Sequence, residues 1–188
     1  MNHYYQTIQG WFNFQNIYRQ MVNIFPDGSL FVEIGSWKGT SSVFMGVELF
    51  NASKFNTQFI CIDTWAENDD GEYINESSVI NNTLFDEFIN NITPLKDAGV
   101  KISQIKGKSE NSVVNFKDES IDFLYIDGSH LYENVKKDIE LYYPKMKNNS
   151  ILAGHDWQSD DIKRAVLEFF DISMIKLDQN TWSINIDK

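Results

Sequence analysis

Apolar runs alternate with segments of helical periodicity along the whole chain. Short continuous apolar runs are typical of strands buried on both faces, and they predict strands at residues 30–34, 58–63, 101–107, 121–127 and 150–156. Apolar residues at helical spacing predict helices at residues 5–24, 39–50, 79–92, 109–115, 131–143 and 158–170. The third of these helices is expected to stop near Pro94. Residues 173–178 and 181–187, which flank Gln179 and Asn180, predict a C-terminal hairpin.

Five strand–helix units in succession predict an α/β fold with a parallel sheet covered on both faces. Right-handed crossovers then give a Rossmann-like, doubly wound sheet. With the antiparallel C-terminal hairpin, the sheet is expected to be mostly parallel and seven-stranded. Ligands of such sheets bind outside the carboxyl ends of the strands. Functional residues are therefore expected directly after each strand, where this chain is rich in polar side chains.

Composition narrows the class of protein. The 188 residues suit a single domain, 1–188, with an N-terminal helical segment, 1–25, and a loop and helix insertion, 65–93. A net charge of −11 disfavours a nucleic-acid partner, because phosphate backbones are bound by clustered Lys and Arg. The single cysteine, Cys61, excludes an internal disulfide framework and a cysteine-based zinc site. The sequence carries no evident signal peptide and no apolar run of the ~20 residues that a membrane span needs, so we expect a cytoplasmic protein without a membrane partner.

The segment after the first strand combines an acid, two glycines and hydroxyl side chains: Glu33, Gly35, Ser36, Trp37, Gly39 and Ser41. A glycine directly after a strand permits a tight turn, and a second one lets a ligand approach the backbone. The amides that open the next helix favour an anion or a carboxylate nearby. The glycine spacing is neither that of GxGxxG nor that of a P-loop. An ordinary strand-to-helix turn is the alternative interpretation.

Asp63 ends the second strand, where a carboxylate is well placed to accept hydrogen bonds from the two hydroxyls of a ribose. A role in a turn or a helix cap is the alternative for this residue. Thr64 and Trp65 follow it and are candidates for the same site. The Trp65 ring could stack on adenine or a sugar ring, or it could pack beneath the loop that follows.

In order and spacing, these residues resemble the motifs of class I S-adenosylmethionine (SAM)-dependent methyltransferases, and within that class the small O-methyltransferases of the catechol type. The first motif of that family, acid-x-Gly-x-x-x-Gly-x-Ser, is matched by Glu33, Gly35, Gly39 and Ser41. The resemblance implies that Asp63 binds the ribose of SAM and that Ser109 and Glu110, after the third strand, lie against the adenine. It also implies a cofactor contact for Asp127, which ends the fourth strand. The segments 127–130 and 154–157 look like those of a bacterial branch that modifies sugars and secondary metabolites.

The resemblance further implies a divalent metal site at Asp127, His155 and Asp156, because metal-dependent members carry ligands at these places. Two carboxylates with waters suit Mg²⁺. A neutral imidazole at His155, where those members carry a carboxylate, favours Mn²⁺, Fe²⁺ or Zn²⁺ instead. The alternative is that Asp127 and Asp156 are solvated turn residues and that His155 only contacts them.

His130 stands three residues after Asp127, where the catechol-type enzymes carry the lysine that removes the proton from the acceptor hydroxyl. An imidazole, whose ordinary pKa lies near 6.5, can accept that proton at neutral pH. We therefore expect His130 and Asp127 to be the catalytic residues. A surface or helix-capping histidine is the alternative.

The expected function is SAM-dependent methyl transfer to a hydroxyl of a small acceptor, a sugar or a secondary metabolite, with assistance from Mg²⁺ or another divalent metal. A non-catalytic SAM-binding or interaction module is the first alternative. An NAD-dependent oxidoreductase is the second, and the missing GxGxxG disfavours it. The aromatic residues of segment 1–25 could form a lid, a homodimer contact or a helix packed on the sheet, and segment 65–93 could also form a lid.

Overall fold

A computed structural model describes residues 1–66 and 74–188 of the chain. Within these ranges, seven strands form one sheet: Leu30–Ile34 (β1), Gln58–Asp63 (β2), Lys101–Lys106 (β3), Ile121–Ile126 (β4), Met146–Gly154 (β5), Ile175–Asp178 (β6) and Thr181–Ile186 (β7). The α-helices are Gln15–Ile24 (α1), Thr40–Asn51 (α2), Ser77–Ile80 (α3), Leu84–Asp97 (α4), Ser109–Ser112 (α5), Tyr132–Tyr142 (α6) and Asp160–Leu167 (α7). No helix in the described ranges has the length and apolar composition needed to cross a membrane.

The strand order is β3-β2-β1-β4-β5-β7-β6. Strands β1 to β5 run parallel, and β7 pairs antiparallel with both β5 and β6. The chain therefore lays β2 and β3 on one side of β1 and then crosses to the other side for β4. The carboxyl ends of β1 and β4 adjoin at this switch point, which is where open α/β sheets bind ligands. The predicted α/β class, the mostly parallel sheet and the C-terminal hairpin are confirmed.

Two apolar layers cover the sheet, and alternate residues of β4 enter one layer or the other. All six residues of β4 are buried, as expected for a central parallel strand. Phe123 and Tyr125 face the layer formed with α1, α2 and α4. Leu124 and Ile126 face the opposite layer, formed with α6 and α7. Both faces of the sheet are closed, so the open end for a ligand is the carboxyl edge.

The N-terminal segment differs from the predicted helix 5–24, because only α1 is α-helical and a single 3-10 turn, Tyr5–Thr7, precedes it. The tertiary contacts of this segment explain the difference. The hydroxyl of Thr40 donates to the Gln9 carbonyl at 3.2 Å. A Cβ on Gly10 would come within 2.5 Å of that hydroxyl, so the chain lies tightly against α2 here. An irregular segment with bends at residues 8 and 10 stands where the helix was predicted, and its Ile8, Gln9 and Phe12 carbonyls accept hydrogen bonds from side chains.

Two other boundaries depart from the predictions. Helix α4 continues past Pro94 to Asp97, because Leu95 in its last turn is fully buried against Gly46 of α2. Strand β5 begins at Met146, four residues before the predicted start, and an irregularity in its pairing with β4 absorbs the extra length. Within the predicted loop and helix insertion 65–93, residues 67–73 lie outside the described residues.

Candidate active site

The turn after β1 is shaped by three residues with left-handed backbone: Gly35 at φ +91°, Trp37 at φ +47° and Gly39 at φ +90°. A Cβ on Gly35 would lie 2.0 Å from the Asp127 carbonyl oxygen, so only glycine fits where β1 and β4 end. Gly39 precedes α2, and its amide donates to the Ser36 carbonyl at 2.8 Å. This turn brings the β1 and β4 loops into direct contact at the carboxyl edge of the sheet.

Glu33 lies beneath this turn and lines neither cleft described below, although it was predicted to bind the cofactor. Its buried carboxylate accepts hydrogen bonds from the hydroxyls of Tyr18 at 2.6 Å and Ser36 at 2.7 Å, and also from Ser42. Burial raises the pKa of Glu33, and these hydroxyls oppose the shift. Glu33 therefore anchors the turn to β1, α1 and α2.

Asp63 ties the turn after β1 to the turn after β2. One of its carboxylate oxygens accepts the Trp37 amide at 2.8 Å, and the other accepts the Trp65 amide at 2.7 Å. Burial raises the pKa of Asp63, and the backbone donors limit that rise. A carboxylate oxygen can accept a second hydrogen bond, so both oxygens keep capacity for a ligand.

The first cleft crosses the carboxyl ends of β1 to β4 and encloses about 910 Å³ of space that is open to solvent. Predicted cofactor residues contribute much of its wall: Gly35, Trp37, Asp63, Thr64, Ser109, Glu110 and Asp127. Ser109 donates its hydroxyl to Asp138 of α6, and Glu110 is paired with Lys137. The structure thus brings the residues after β1, β2, β3 and β4 around one space.

Trp65, also predicted as a cofactor residue, points away from this cleft. Its ring is 2% exposed and contacts Phe85 and Phe88. Its indole N–H donates to the Trp37 carbonyl at 2.8 Å. The Trp65 ring therefore supports the turn after β1, and residues 67–73, which follow it, lie outside the described part of the chain.

A second cleft, of about 970 Å³, adjoins the first and shares Gly35, Trp37 and Asp127 with it. One wall comes from the N-terminal segment and the start of α2: Gly10, Trp11, Asn13, Ser36, Thr40 and Ser41. The opposite wall holds the predicted catalytic and metal residues His130, His155 and Asp156. Gly39, which was predicted to bind the cofactor, lines neither cleft and lies beside Phe88.

Two acids and two histidines form a cluster where the clefts meet. Nε2 of His130 lies 2.9 Å from Asp156 Oδ2, and Nδ1 of His155 lies 3.2 Å from Asp156 Oδ1 and 3.6 Å from Asp127 Oδ1. The other ring nitrogen of His155 lies 2.7 Å from the side-chain oxygen of Asn13. One ligand atom from each of Asp127, His130 and Asp156 lies within 4.8 Å of the others, a spacing that suits a shared cation.

The electrostatics of the cluster favour positive charge between the acids. Burial raises the pKa of Asp127 to about 8, with the neighbouring histidines opposing and Asp156 adding to the shift. Burial also raises the pKa of Asp156, but hydrogen bonds from both histidines outweigh it and leave that pKa below its ordinary value. Burial lowers the pKa of His155, while Asp156 and Asp127 raise it above the ordinary value overall.

Comparison with known proteins decides the family. Residues 32–157 match a family model described as a methyltransferase domain. The chain belongs to this methyltransferase family. The resemblance to class I SAM-dependent methyltransferases is thereby confirmed. The match runs from the middle of β1 to three residues past β5 and includes the residues after those strands that line the two clefts.

One curated relative of this methyltransferase is an uncharacterized protein, y4gI, of Sinorhizobium fredii (strain NBRC 101917 / NGR234). It is 26% identical over 126 residues, which cover 66% of this chain and 13% of that protein. The chain therefore corresponds to a small part of this relative.

Solved structures share the fold of the methyltransferase. The O-methyltransferase NovP has a TM-score of 0.70 at 21% identity, covering 93% of this chain and 79% of its own. The calicheamicin methyltransferase CalS11 has a TM-score of 0.67 at 13% identity, covering 90% and 75%. An rRNA methylase from Streptococcus thermophilus has a TM-score of 0.60 at 13% identity, covering 92% and 95%. At these identities the likeness establishes the fold and leaves the acceptor open.

Asn13 and Asp138 are among the residues of the cleft walls that were not predicted from the sequence. Asn13 contacts His155 across 142 positions of the chain, and no local pattern signals such a contact. Asp138 did leave a signal, because it stands on the apolar stripe of α6 between Val135 and Tyr142. A buried acid needs a hydrogen-bond donor or a cation as its partner, so the place of Asp138 on the apolar face of α6 indicates a specific role.

Proposed function

We propose that the chain transfers the methyl group of SAM to a hydroxyl oxygen of a small acceptor, a sugar or a secondary metabolite. The observation that carries this proposal is the junction of the two clefts at Gly35, Trp37 and Asp127. A cofactor in the first cleft and an acceptor in the second would meet at that junction. Because the sulfonium methyl is already activated, alignment of the two reactants is the main task of the protein.

The first cleft suits SAM by its chemistry. Asp63 keeps acceptor capacity for ribose hydroxyls, and the backbone at Gly35 lies open to close approach. Thr64, Ser109 and Glu110 add polar groups along the rest of the wall. The acid and the glycine follow β1 and β2, so the cofactor would lie across the switch point of the sheet.

A hydroxyl acceptor is supported by the groups on the wall of the second cleft. His130 is positioned to take the hydroxyl proton as the oxygen attacks the methyl carbon. Asp156, at 2.9 Å from Nε2, orients the imidazole and stabilises it once it is protonated. The O-methyltransferases among the solved structures of this fold, one of them described as a TDP-rhamnose 3'-O-methyltransferase, support the same class of acceptor. The net charge of −11 disfavours RNA as the acceptor.

The donor set at the cleft junction fits a divalent metal. Asp127, Asp156 and His130 would hold it, with His155 in contact with both acids. The raised pKa of Asp127 reflects a buried carboxylate that needs positive charge nearby, and this supports the assignment. When bound, a divalent cation supplies Lewis acidity that lowers the pKa of an acceptor hydroxyl. The third ligand of this set is His130, whereas the sequence resemblance implied His155. His130 can serve as this ligand or as the base, but not as both at once, because the second nitrogen of a coordinated neutral imidazole already carries a proton.

The proposal is tested first by calorimetric titration with S-adenosylhomocysteine (SAH) and NAD. SAH should bind and NAD should not. Release of SAH from SAM is then measured with TDP-rhamnose and caffeoyl-CoA as acceptors. His130→Ala should lower turnover by about 10²–10⁴-fold with SAH affinity unchanged. His3→Ala, whose imidazole contacts Glu48 outside both clefts, is the matched control. Absence of SAH binding would refute the proposal, and undiminished turnover in His130→Ala would remove the base.

The metal is tested separately by thermal unfolding with MgCl₂, MnCl₂ or EDTA. A bound cation stabilises the folded state, so it should raise the Tm of the wild type and leave that of Asp156→Asn unchanged. Equal Tm values in cation and chelator would remove the metal and leave His130 as the base alone.

A further inference from the structure

Asp138 is a buried acid in the wall of the first cleft that the proposed methyl transfer does not use. It lies in the middle of α6 and is 5% exposed. One carboxylate oxygen accepts the hydroxyl of Ser109, the first residue of α5. Tyr142, one turn further along α6, donates its hydroxyl to the Ser109 carbonyl at 2.9 Å. Helix α6 thus holds the start of α5 at two points.

The second carboxylate oxygen of Asp138 has no hydrogen-bond partner among residues 1–66 and 74–188. No cation in those ranges forms an ion pair with it, because the neighbouring Lys137 is paired with Glu110. Burial accordingly raises the pKa of Asp138 to about 7, and the Ser109 hydroxyl opposes the shift. A buried carboxylate with an unused acceptor on a cleft wall is suited to a ligand that donates a hydrogen bond.

The place of Asp138 in the cleft indicates which part of SAM it faces. The reacting end of the cofactor belongs at Gly35 and Asp127, where the two clefts meet. Ser109 and Asp138 line only the first cleft. Ser109 also follows β3, which lies two strands from β1, or about 10 Å at ordinary strand spacing. In SAM the ribose separates the sulfonium from the adenine, so the adenine is the part of the nucleoside that extends away from the reacting end.

We propose that Asp138, held by Ser109, is the residue that selects adenine by accepting a hydrogen bond from its exocyclic amino group. The inference rests on the proposed function, because it takes SAM as the ligand of the first cleft. An amino group has protons to donate, whereas the keto oxygen of hypoxanthine at the same ring position can only accept. An ionised Asp138 therefore accepts adenine and repels hypoxanthine.

The test compares binding of SAH with binding of S-inosyl-L-homocysteine, its deaminated analogue, by calorimetry at pH 8.5. The wild type should bind SAH at least about tenfold more tightly than the analogue, since the analogue leaves the second carboxylate oxygen of Asp138 without a hydrogen-bond donor. Asp138→Asn should reduce that preference to about threefold or less, because a carboxamide can present either a donor or an acceptor. Asp118→Asn makes the same chemical change at an exposed position before β4, at the opposite edge of the sheet, and should keep the wild-type ratio.

Three results would overturn the inference. The first is a wild type that binds SAH and S-inosyl-L-homocysteine with nearly equal affinity. The second is an Asp138→Asn variant that keeps the wild-type affinity ratio while its cooperative unfolding shows that it is folded. The third comes from 5'-methylthioadenosine, which lacks the amino-acid arm: if Asp138→Asn weakens SAH but not this ligand, Asp138 faces the ammonium group instead. Failure of the wild type to bind SAH at all is a different outcome, because it refutes the proposed function itself.

Discussion

Gly35→Ala is expected to destabilise the fold far more than Gly28→Ala, although both glycines have left-handed backbone, at φ +91° and φ +96°. The conformational cost of an alanine in this region is about 1–2 kcal/mol and is common to both variants. At Gly28 nothing lies within 4 Å of the added Cβ, so that cost is the whole effect. At Gly35 the Cβ would lie 2.0 Å from the Asp127 carbonyl oxygen and 2.6 Å from the Gly128 Cα. These are backbone atoms, and no side-chain rotation can relieve the overlap.

The extra cost at Gly35 is that of separating the ends of β1 and β4 by more than 1 Å, since ordinary Cβ contacts begin near 3.4 Å. Overpacking of this kind costs about 1–3 kcal/mol or more, so with the backbone cost the total for Gly35→Ala is about 2–5 kcal/mol or more. Urea unfolding followed by circular dichroism measures both variants, and SAH titration reports the loss of the cleft wall. Equal free energies of unfolding for the two variants would refute the packing argument, because they share only the backbone cost.

Two further predictions concern charged groups. Lys38→Met should lower the free energy of unfolding by about 1–3 kcal/mol in urea titrations, because Lys38 is buried and bridges Gln9, Glu76 and Glu87. Lys163→Met is the control, and it should lower the free energy of unfolding by less than about 0.5 kcal/mol because its partner Asp160 is exposed. A larger loss in Lys163→Met would contradict the reasoning. Asp138 has a folded-state pKa raised to about 7, so its stabilising contribution is complete below pH 4 and is lost as the pH rises to 7. The free energy of unfolding of Asp138→Asn, relative to that of the wild type, should therefore rise by about 2–4 kcal/mol between pH 4 and pH 8 in urea titrations. A constant difference across that range would contradict the assigned pKa shift.

The sequence predicted the sheet well because its signal is local. Five continuous apolar runs gave β1 to β5, and the Gln179-Asn180 turn gave the hairpin of β6 and β7. Where prediction failed, a distant contact had overridden local preference. Segment 8–13 has helical spacing of its apolar residues, yet Thr40 and the close packing at Gly10 hold it in an irregular conformation. Pro94 is a helix breaker, yet the burial of Leu95 carries α4 beyond it.

The residues of the candidate site likewise fall into two groups, those whose position can be predicted from the sequence and those whose position cannot. Strand ends can be located from the sequence, and the residues that follow them can therefore be predicted as site residues. Four of these residues line the clefts: Asp63, Ser109, Asp127 and His130. Whether a side chain at a strand end faces the cleft or the core depends on backbone angles that a sequence does not reveal. Trp65, at φ +46°, turns inward onto Phe85 and Phe88. Glu33, which was predicted to bind the cofactor, lies under the turn after β1 and lines neither cleft. Asn13 reaches His155 only through the full path of the fold.

The wall shared by the two clefts has a thermodynamic consequence. Gly35, Trp37 and Asp127 contact both spaces, so a ligand that shifts these residues in one cleft changes the shape that the other presents. Linkage requires the effect to be mutual: whatever factor the cofactor applies to the affinity for the acceptor, the acceptor applies to the affinity for the cofactor. Titrating either ligand in the presence of the other therefore measures the same coupling factor, once from each cleft.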